Sequence, residues 1–366
     1  MKRRHFLQYG AAWGAALALT GGAVAQTGNA ARVALTIEPA DVEMIDGVSV
    51  FMLLFFGPNG ARPVLRATEG DVITLTVRNN DARTHGFAIP GVAGATIGAI
   101  QPGRERSATF TAPRGGTYLY IDPTLAPVNR LLGLHGAFVV APRHPATPVG
   151  VVTPFSRDAQ TTNVRTLFEA LGASERFPGH RWTPDRERVW MFSQTDPALN
   201  VRVDAGATID PRTVVANFAP RYFTLNGRSG FDSSHDPATR ASGYIGEPLL
   251  LRVLNAGLAT HSPHIHGNHV MELSGVGPDG AQVVRDNTLE RDSWTMAPFD
   301  RKDMLLPFER PPDIPPAAYP MRQEQFPLRY PMHCHIEMSQ TAGGGNYPQG
   351  LITDWEILGP SPPAGG

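Results

Sequence analysis

The chain has 366 residues, a formal net charge of −1 and a single cysteine. Near-neutral charge gives no footprint for nucleic acid or for an acidic partner, and one thiol excludes an intramolecular disulfide framework. With 38 glycines and 34 prolines and few helix-period stretches, the composition favours an all-β, turn-rich fold. The length suggests two domains.

Residues 1–25 read as a targeting segment. Lys2-Arg3-Arg4-His5-Phe6-Leu7 resembles a twin-arginine signal, an Ala-rich apolar run follows from Ala11 to Leu19, and Ala23-Val24-Ala25 supplies small residues for cleavage. The run is too short to span a bilayer, so export to the periplasm is expected and membrane insertion is not. The twin-arginine route exports folded proteins, and loading a metal before export is a common reason to use it. In an oxidising compartment a lone cysteine is better explained as a ligand than as half of a bridge.

A first domain is expected over 31–142. Its segment Glu69-Gly70-Asp71-Val72-Ile73-Thr74-Leu75-Thr76-Val77-Arg78-Asn79 alternates polar and apolar residues as a half-buried strand does. Thr84-His85-Gly86-Phe87-Ala88-Ile89-Pro90 follows. A second strand, Gly116-Thr117-Tyr118-Leu119-Tyr120, leads into Ile121-Asp122-Pro123. The domain closes near Gly133-Leu134-His135-Gly136, where His135 reads as a polar side chain on a loop edge. Residues 143–186 are rich in Pro, Thr and Arg and read as an interdomain connection, with a short helix over Thr166 to Ser174.

A second domain is expected over 187–360, with Val189-Trp190-Met191-Phe192 in its first strand. Gly246 to Asn255 repeats the pattern of Gly70 to Asn79: the Asn comes nine residues after the Gly in both copies, and a Thr-His pair follows at the same distance, giving His85 and His261. Two equivalent β-sandwiches are the natural reading. His261-Ser262-Pro263-His264-Ile265-His266-Gly267 then packs three histidines into six residues, with His264 and His266 on one face of an extended segment. Pro307 to Arg329 reads as a long ordered loop beside the site.

The strand Arg329-Tyr330-Pro331-Met332 runs into His333-Cys334-His335. Alternation places Cys334 on one face and the two imidazoles on the other, so two metal environments can sit back to back. A thiolate with histidines suits a trigonal copper site. Imidazoles alone favour Cu, Zn, Ni or Fe over Mg or Ca, and a closed tetrahedral zinc would be structural.

H-x-x-H-x-H-G followed by H-C-H about seventy residues later resembles the C-terminal cupredoxin domain of the multicopper oxidases. The resemblance implies two Greek-key cupredoxin-like β-sandwich domains and copper as cofactor. It implies His261 and Cys334 as type 1 ligands, and His264, His266, His333 and His335 as ligands of a trinuclear cluster. Several positions depart from the pattern. Ala88 and Pro90 stand where domain two has His264 and His266, and Ile121-Asp122-Pro123 stands opposite His333-Cys334-His335. Ser339 takes the place of a further type 1 histidine, and Gly344 the axial position. His85 and Met338 are secondary ligand candidates: His85 reads better as a hydrogen-bonded relic, and Met338 equally well as core filler.

The function implied is that of an exported copper oxidoreductase. It would oxidise a small reductant, a phenol or a metal ion, with oxygen as acceptor. The alternatives are a non-catalytic periplasmic copper-binding or buffering protein and a metal-free cupredoxin scaffold. Two-domain relatives are often trimers, so a homotrimer is part of the expectation, with Asp122, His85 or His135 of a neighbour completing the metal sphere.

Overall fold

The computed structural model describes residues 5–7, 30–277, 280–310 and 325–360. Of the expected leader only His5–Leu7 is among them, paired in parallel with Ala40, Asp41 and Val42. The rest of the leader, and residues 311–324 of the expected loop, lie outside the described residues. Among the described residues no helix is long and apolar enough to cross a membrane. The chain forms two compact units. One comprises Met1–Arg114, Tyr118–Ala141 and Asp196–Ala219, and the other Gly115–Thr117, Pro142–Thr195 and Pro220–Gly366.

In the first unit, Ala30–Glu43 from Leu35 onward and Val72–Asn79 largely alternate buried positions with half-buried or exposed ones, which commits one face of each strand to a core. One sheet runs Gly60–Ala61, Ser49–Gly57, Ala30–Glu43, Val72–Asn79, Glu105–Thr111. The second runs Leu65–Thr68, His135–Ala141, Gly116–Ile121, His85–Ala88, Thr96–Ile100. Rings from both sheets interlock. Phe55 meets Phe87 at 5.7 Å and Tyr120 at 5.4 Å between centroids, and Phe87 stacks on Tyr120 at 5.5 Å. Such aromatic pairs contribute about 0.5–1.5 kcal/mol each beyond their burial.

The second unit repeats most of this topology, but the strand after its His-bearing strand, Val270–Val276, pairs with Arg301–Leu306 in the larger sheet, whereas Thr96–Ile100 pairs with His85–Ala88 in the first unit. Its larger sheet runs Tyr222–Leu225, Glu187–Thr195, Leu249–Asn255, Arg301–Leu306, Val270–Val276, Gln282–Arg291. Its smaller sheet runs Ala241–Gly243, Ile352–Ile357, Leu328–Cys334, Pro263–Ile265. The equivalences hold pair by pair. Ala30–Glu43 lies parallel to Val72–Asn79 as Glu187–Thr195 does to Leu249–Asn255. Leu65–Thr68 lies parallel to His135–Ala141 as Ala241–Gly243 does to Ile352–Ile357. Trp190, Phe192, Ile265, Met332, Cys334 and Trp355 share the second unit's apolar core.

The paired asparagines explain the repeat in physical terms. Asn79 Nδ2 donates to the carbonyls of Arg83 and Ile100, and its Oδ1 accepts from Asp81 N–H. Asn255 does the same with Ala259, Met296 and Gly257. Each amide satisfies the backbone groups freed where a strand ends and the His-bearing turn begins, as buried polar groups require.

Two local expectations shift. The helix expected over Thr166 to Ser174 spans Thr162–Ala170, within the second unit, because the Thr161 side chain accepts from Val164 N–H and fixes its start. His135 is not on a loop edge: it opens the strand His135–Ala141 fully buried, with Nδ1 on the Arg130 carbonyl at 2.9 Å. Burial, with the charges of Arg62 and Arg130, lowers its pKa to about 3.

Candidate metal centre

Two neighbouring antiparallel strands carry the histidines. Pro263 pairs with Cys334, His264 with His333 and Ile265 with Met332. Alternation then sorts the side chains. Ile265, Met332 and Cys334 are buried in the core, His264 and His333 are half-buried, and His266 and His335 are exposed. Gly267, two residues past the strand Pro263–Ile265, turns the chain at φ +77°, where a Cβ would lie 2.6 Å from the Tyr330 ring. Only glycine meets both demands. Tyr330 stacks on Trp355 at 4.9 Å, and Trp355 Nε1 donates to the His266 carbonyl at 2.7 Å. The outer histidines thus stand on a rigid floor.

Four imidazoles converge on that outer face. His264 lies 4.6 Å from His335, 4.7 Å from His266 and 5.6 Å from His333 between ring centroids. His333 lies 5.2 Å from His266 and 5.1 Å from His335. Candidate ligand nitrogens of His264, His333 and His335 all fall within 4.8 Å of one another. Nε2 of His266 and Nε2 of His333 are 3.0 Å apart. Two nitrogens that each bind one ion at about 2.0–2.1 Å lie roughly 3 Å apart, so this pair already has a ligating separation.

The second layer orients these donors. His264 Nδ1 faces the Asp292 carbonyl at 3.1 Å and Ser293 Oγ at 2.9 Å. A carbonyl only accepts, so Nδ1 carries the proton and Nε2 keeps its lone pair for the cluster. Burial, reinforced by His266 and His335, lowers the His264 pKa; burial also lowers that of His333. Both are therefore neutral near pH 7, the form a metal binds.

On the inner face His261, Cys334 and Ser339 are buried together. His261 Nδ1 lies 3.6 Å from Cys334 Sγ and 3.3 Å from Ser339 Oγ. Its Nε2 contacts the Gln194 side-chain nitrogen, and burial lowers its pKa to about 4. Ser339 holds the place beside His261, while Met338 is 62% exposed on the short helical turn Glu337–Gln340.

His85 occupies the equivalent position in the first unit with a different environment. Its Nδ1 meets Asp122 at 2.7 Å and its Nε2 meets Asp81 at 3.0 Å. Asp122 also accepts from Gly86 N–H, Thr124 N–H and Asn129 Nδ2 at 3.0, 2.8 and 2.8 Å. Arg83 grips Asp81 at 2.7 and 3.1 Å. Burial alone would lower the His85 pKa, but the hydrogen bonds to Asp122 and Asp81 raise it overall. Burial likewise opposes ionisation of Asp81, yet His85 and Arg83 hold its carboxyl well below the usual range. Both ring nitrogens of His85 are thus engaged by carboxylates.

Sequence reasoning did not find Gln194, Asp81, Asn129 or Ser293. Gln194 ends a core strand without a motif of its own. Asp81 was within reach, because the repeat aligns it with Gly257, and the change from carboxylate to no side chain signals two different histidine environments.

The paired sandwiches and the clustered histidines define a cupredoxin-like protein with an imidazole-rich face. A family model for multicopper oxidase matches residues 52–145. Copper resistance protein A of Pseudomonas syringae pv. tomato is 33% identical over 265 residues, covering 67% of this chain and 41% of that protein. Its namesake in Escherichia coli is 34% identical over 270 residues, again 67% and 41%. The chain therefore spans about two-fifths of the length of these curated relatives. A blue copper oxidase structure from Nitrosomonas europaea superposes with a TM-score of 0.65 at 19% identity, over 90% of this chain and 86% of that one, a likeness of fold. Together these matches support the multicopper oxidase family for this chain.

Proposed function

We propose that this chain binds copper through His264, His266, His333 and His335 and acts as an exported oxidoreductase of the multicopper-oxidase type on a small reductant. The observation that carries this reading is the convergence of four imidazoles, with His264 locked by Asp292 and Ser293 to present Nε2. Imidazole donors suit copper, and the family likeness favours it over zinc. Bound copper would supply one-electron chemistry. The protein's part is to hold neutral nitrogens at a fixed spacing and to leave an open side. His266 and His335 are exposed, so a phenol, a metal ion or oxygen can approach without passing through the core. That open side also leaves room for a donor from a second copy, consistent with a homotrimer. The twin-arginine pattern at Arg3-Arg4 supports a periplasmic location.

A second reading, copper storage without turnover, is favoured by Ser339, which removes an imidazole from the buried side. Copper titration of the purified protein, followed by oxygen-consumption assays with a phenol or Cu(I), separates the two. Copper binding with turnover supports the oxidoreductase. Binding without turnover selects storage. Failure of the wild-type protein to bind copper would overturn both.

A further inference from the structure

The buried pair of His261 and Cys334 is the site that the family resemblance assigns to type 1 copper, and its surroundings do not fit that use. The ring atom facing Cys334 Sγ is Nδ1, at 3.6 Å, so a metal held by the thiolate needs the Nδ1 lone pair. The opposite nitrogen, Nε2, meets the side-chain amide of Gln194. That amide has only one satisfactory orientation. Its Oε1 accepts from Leu258 N–H at 2.8 Å and Ala259 N–H at 3.1 Å; a flip would aim the NH2 group at two donors. The NH2 group therefore faces His261 and donates to Nε2.

We propose that Gln194 closes this site to metal by fixing the His261 tautomer with its proton on Nδ1. A neutral imidazole that accepts at one nitrogen donates at the other. The Nδ1 proton has acceptors in place, Ser339 Oγ at 3.3 Å and Cys334 Sγ at 3.6 Å. The sulfur also accepts from Ser262 N–H at 3.4 Å. Gln194 fits because residue 257 is glycine: a Cβ there would overlap the amide. Two residues thus remove the blue site together. Ser339 withholds a ligand, and Gln194, by donating to Nε2, keeps a proton on the Nδ1 that a metal would need. The inference does not depend on copper binding at the outer face.

Long-range proton–nitrogen correlation on metal-free protein labelled at histidine, with His261 assigned through His261→Gln, reads the tautomer directly. The Nδ1–H form is expected, and an Nε2–H form would overturn the proposal. Copper-loaded variants give a second readout. Gln194→Glu keeps the shape but accepts from Nε2–H, which frees Nδ1. Ser339→His with Gln194→Glu should show a thiolate-to-copper band at least ten-fold stronger than Ser339→His alone. Equal absorbance in the two variants, or an intense wild-type band abolished by Cys334→Ser, would contradict it. If the double variant fails to fold, the tautomer measurement decides.

Discussion

His85 and His261 follow the same asparagine device at the same distance in two units of related topology, yet their surroundings are opposite in kind. His85 sits between two carboxylates with both nitrogens engaged. His261 has a neutral amide on one side, and a thiol and a hydroxyl on the other. The backbone frame that delivers a buried imidazole to the same place does not decide what it does there. Asp122 against Cys334, and Asp81 against Gly257 with Gln194, decide that the first is an ionic clamp and the second a neutral hydrogen-bonded core. The outer face differs too: Ala88 and Pro90 stand where the second unit has His264 and His266, two of its four clustered imidazoles.

The largest effect should come from breaking the clamp. Asp122→Ala removes the acceptor for His85, Gly86, Thr124 and Asn129 in a fully buried setting. Loss of one partner of a buried pair costs about 3–5 kcal/mol, which denaturant unfolding will measure. A cost below about 1 kcal/mol would show that the contacts do not act as an ion pair.

The pH dependence sharpens the same contrast. The folded pKa of His85 is raised, so its stabilisation is complete below the ordinary histidine value of about 6.5. It is lost as pH rises through the raised value, because the folded state then surrenders a proton that the unfolded state has already released. Stability measured from pH 6 to 9 should fall toward alkaline pH, and Asp122→Asn should flatten that slope. An unchanged slope would place the dependence elsewhere.

The inner site of the second unit should be softer. Cys334→Ala removes a small apolar contributor to the core and no ionic partner, so a cost of about 1 kcal/mol is expected. A loss as large as that of Asp122→Ala would mean that the thiol anchors more than packing. Smallest for stability is the outer pair. His266→Ala with His335→Ala alters exposed side chains and should stay within about 0.5 kcal/mol of wild type, while copper content drops toward zero. Full copper retention in the folded double variant would remove the cluster assignment.

Much of this was legible in the sequence because its signals are periodic. Strand alternation announced Val72–Asn79, and the spacing from glycine to asparagine to histidine exposed the repeat. The H-C-H tripeptide told which side chain turns inward, and Cys334 lies in the core while His335 is exposed. What was not legible depends on approach between distant segments. Gln194 reaches His261 across 67 positions, and Ser293 reaches His264 across 29; neither carries a local pattern. His135 was misplaced because a histidine beside glycine resembles a turn. Its burial follows from the closing strand packing into the sandwich, which local composition does not report.

Copper is expected to bind the outer imidazoles and not the buried thiolate. X-ray absorption at the copper edge of the loaded wild-type protein tests it most directly. Nitrogen or oxygen donors with imidazole scattering and no sulfur are expected around the copper. A short copper–sulfur contribution that disappears in Cys334→Ser would contradict it.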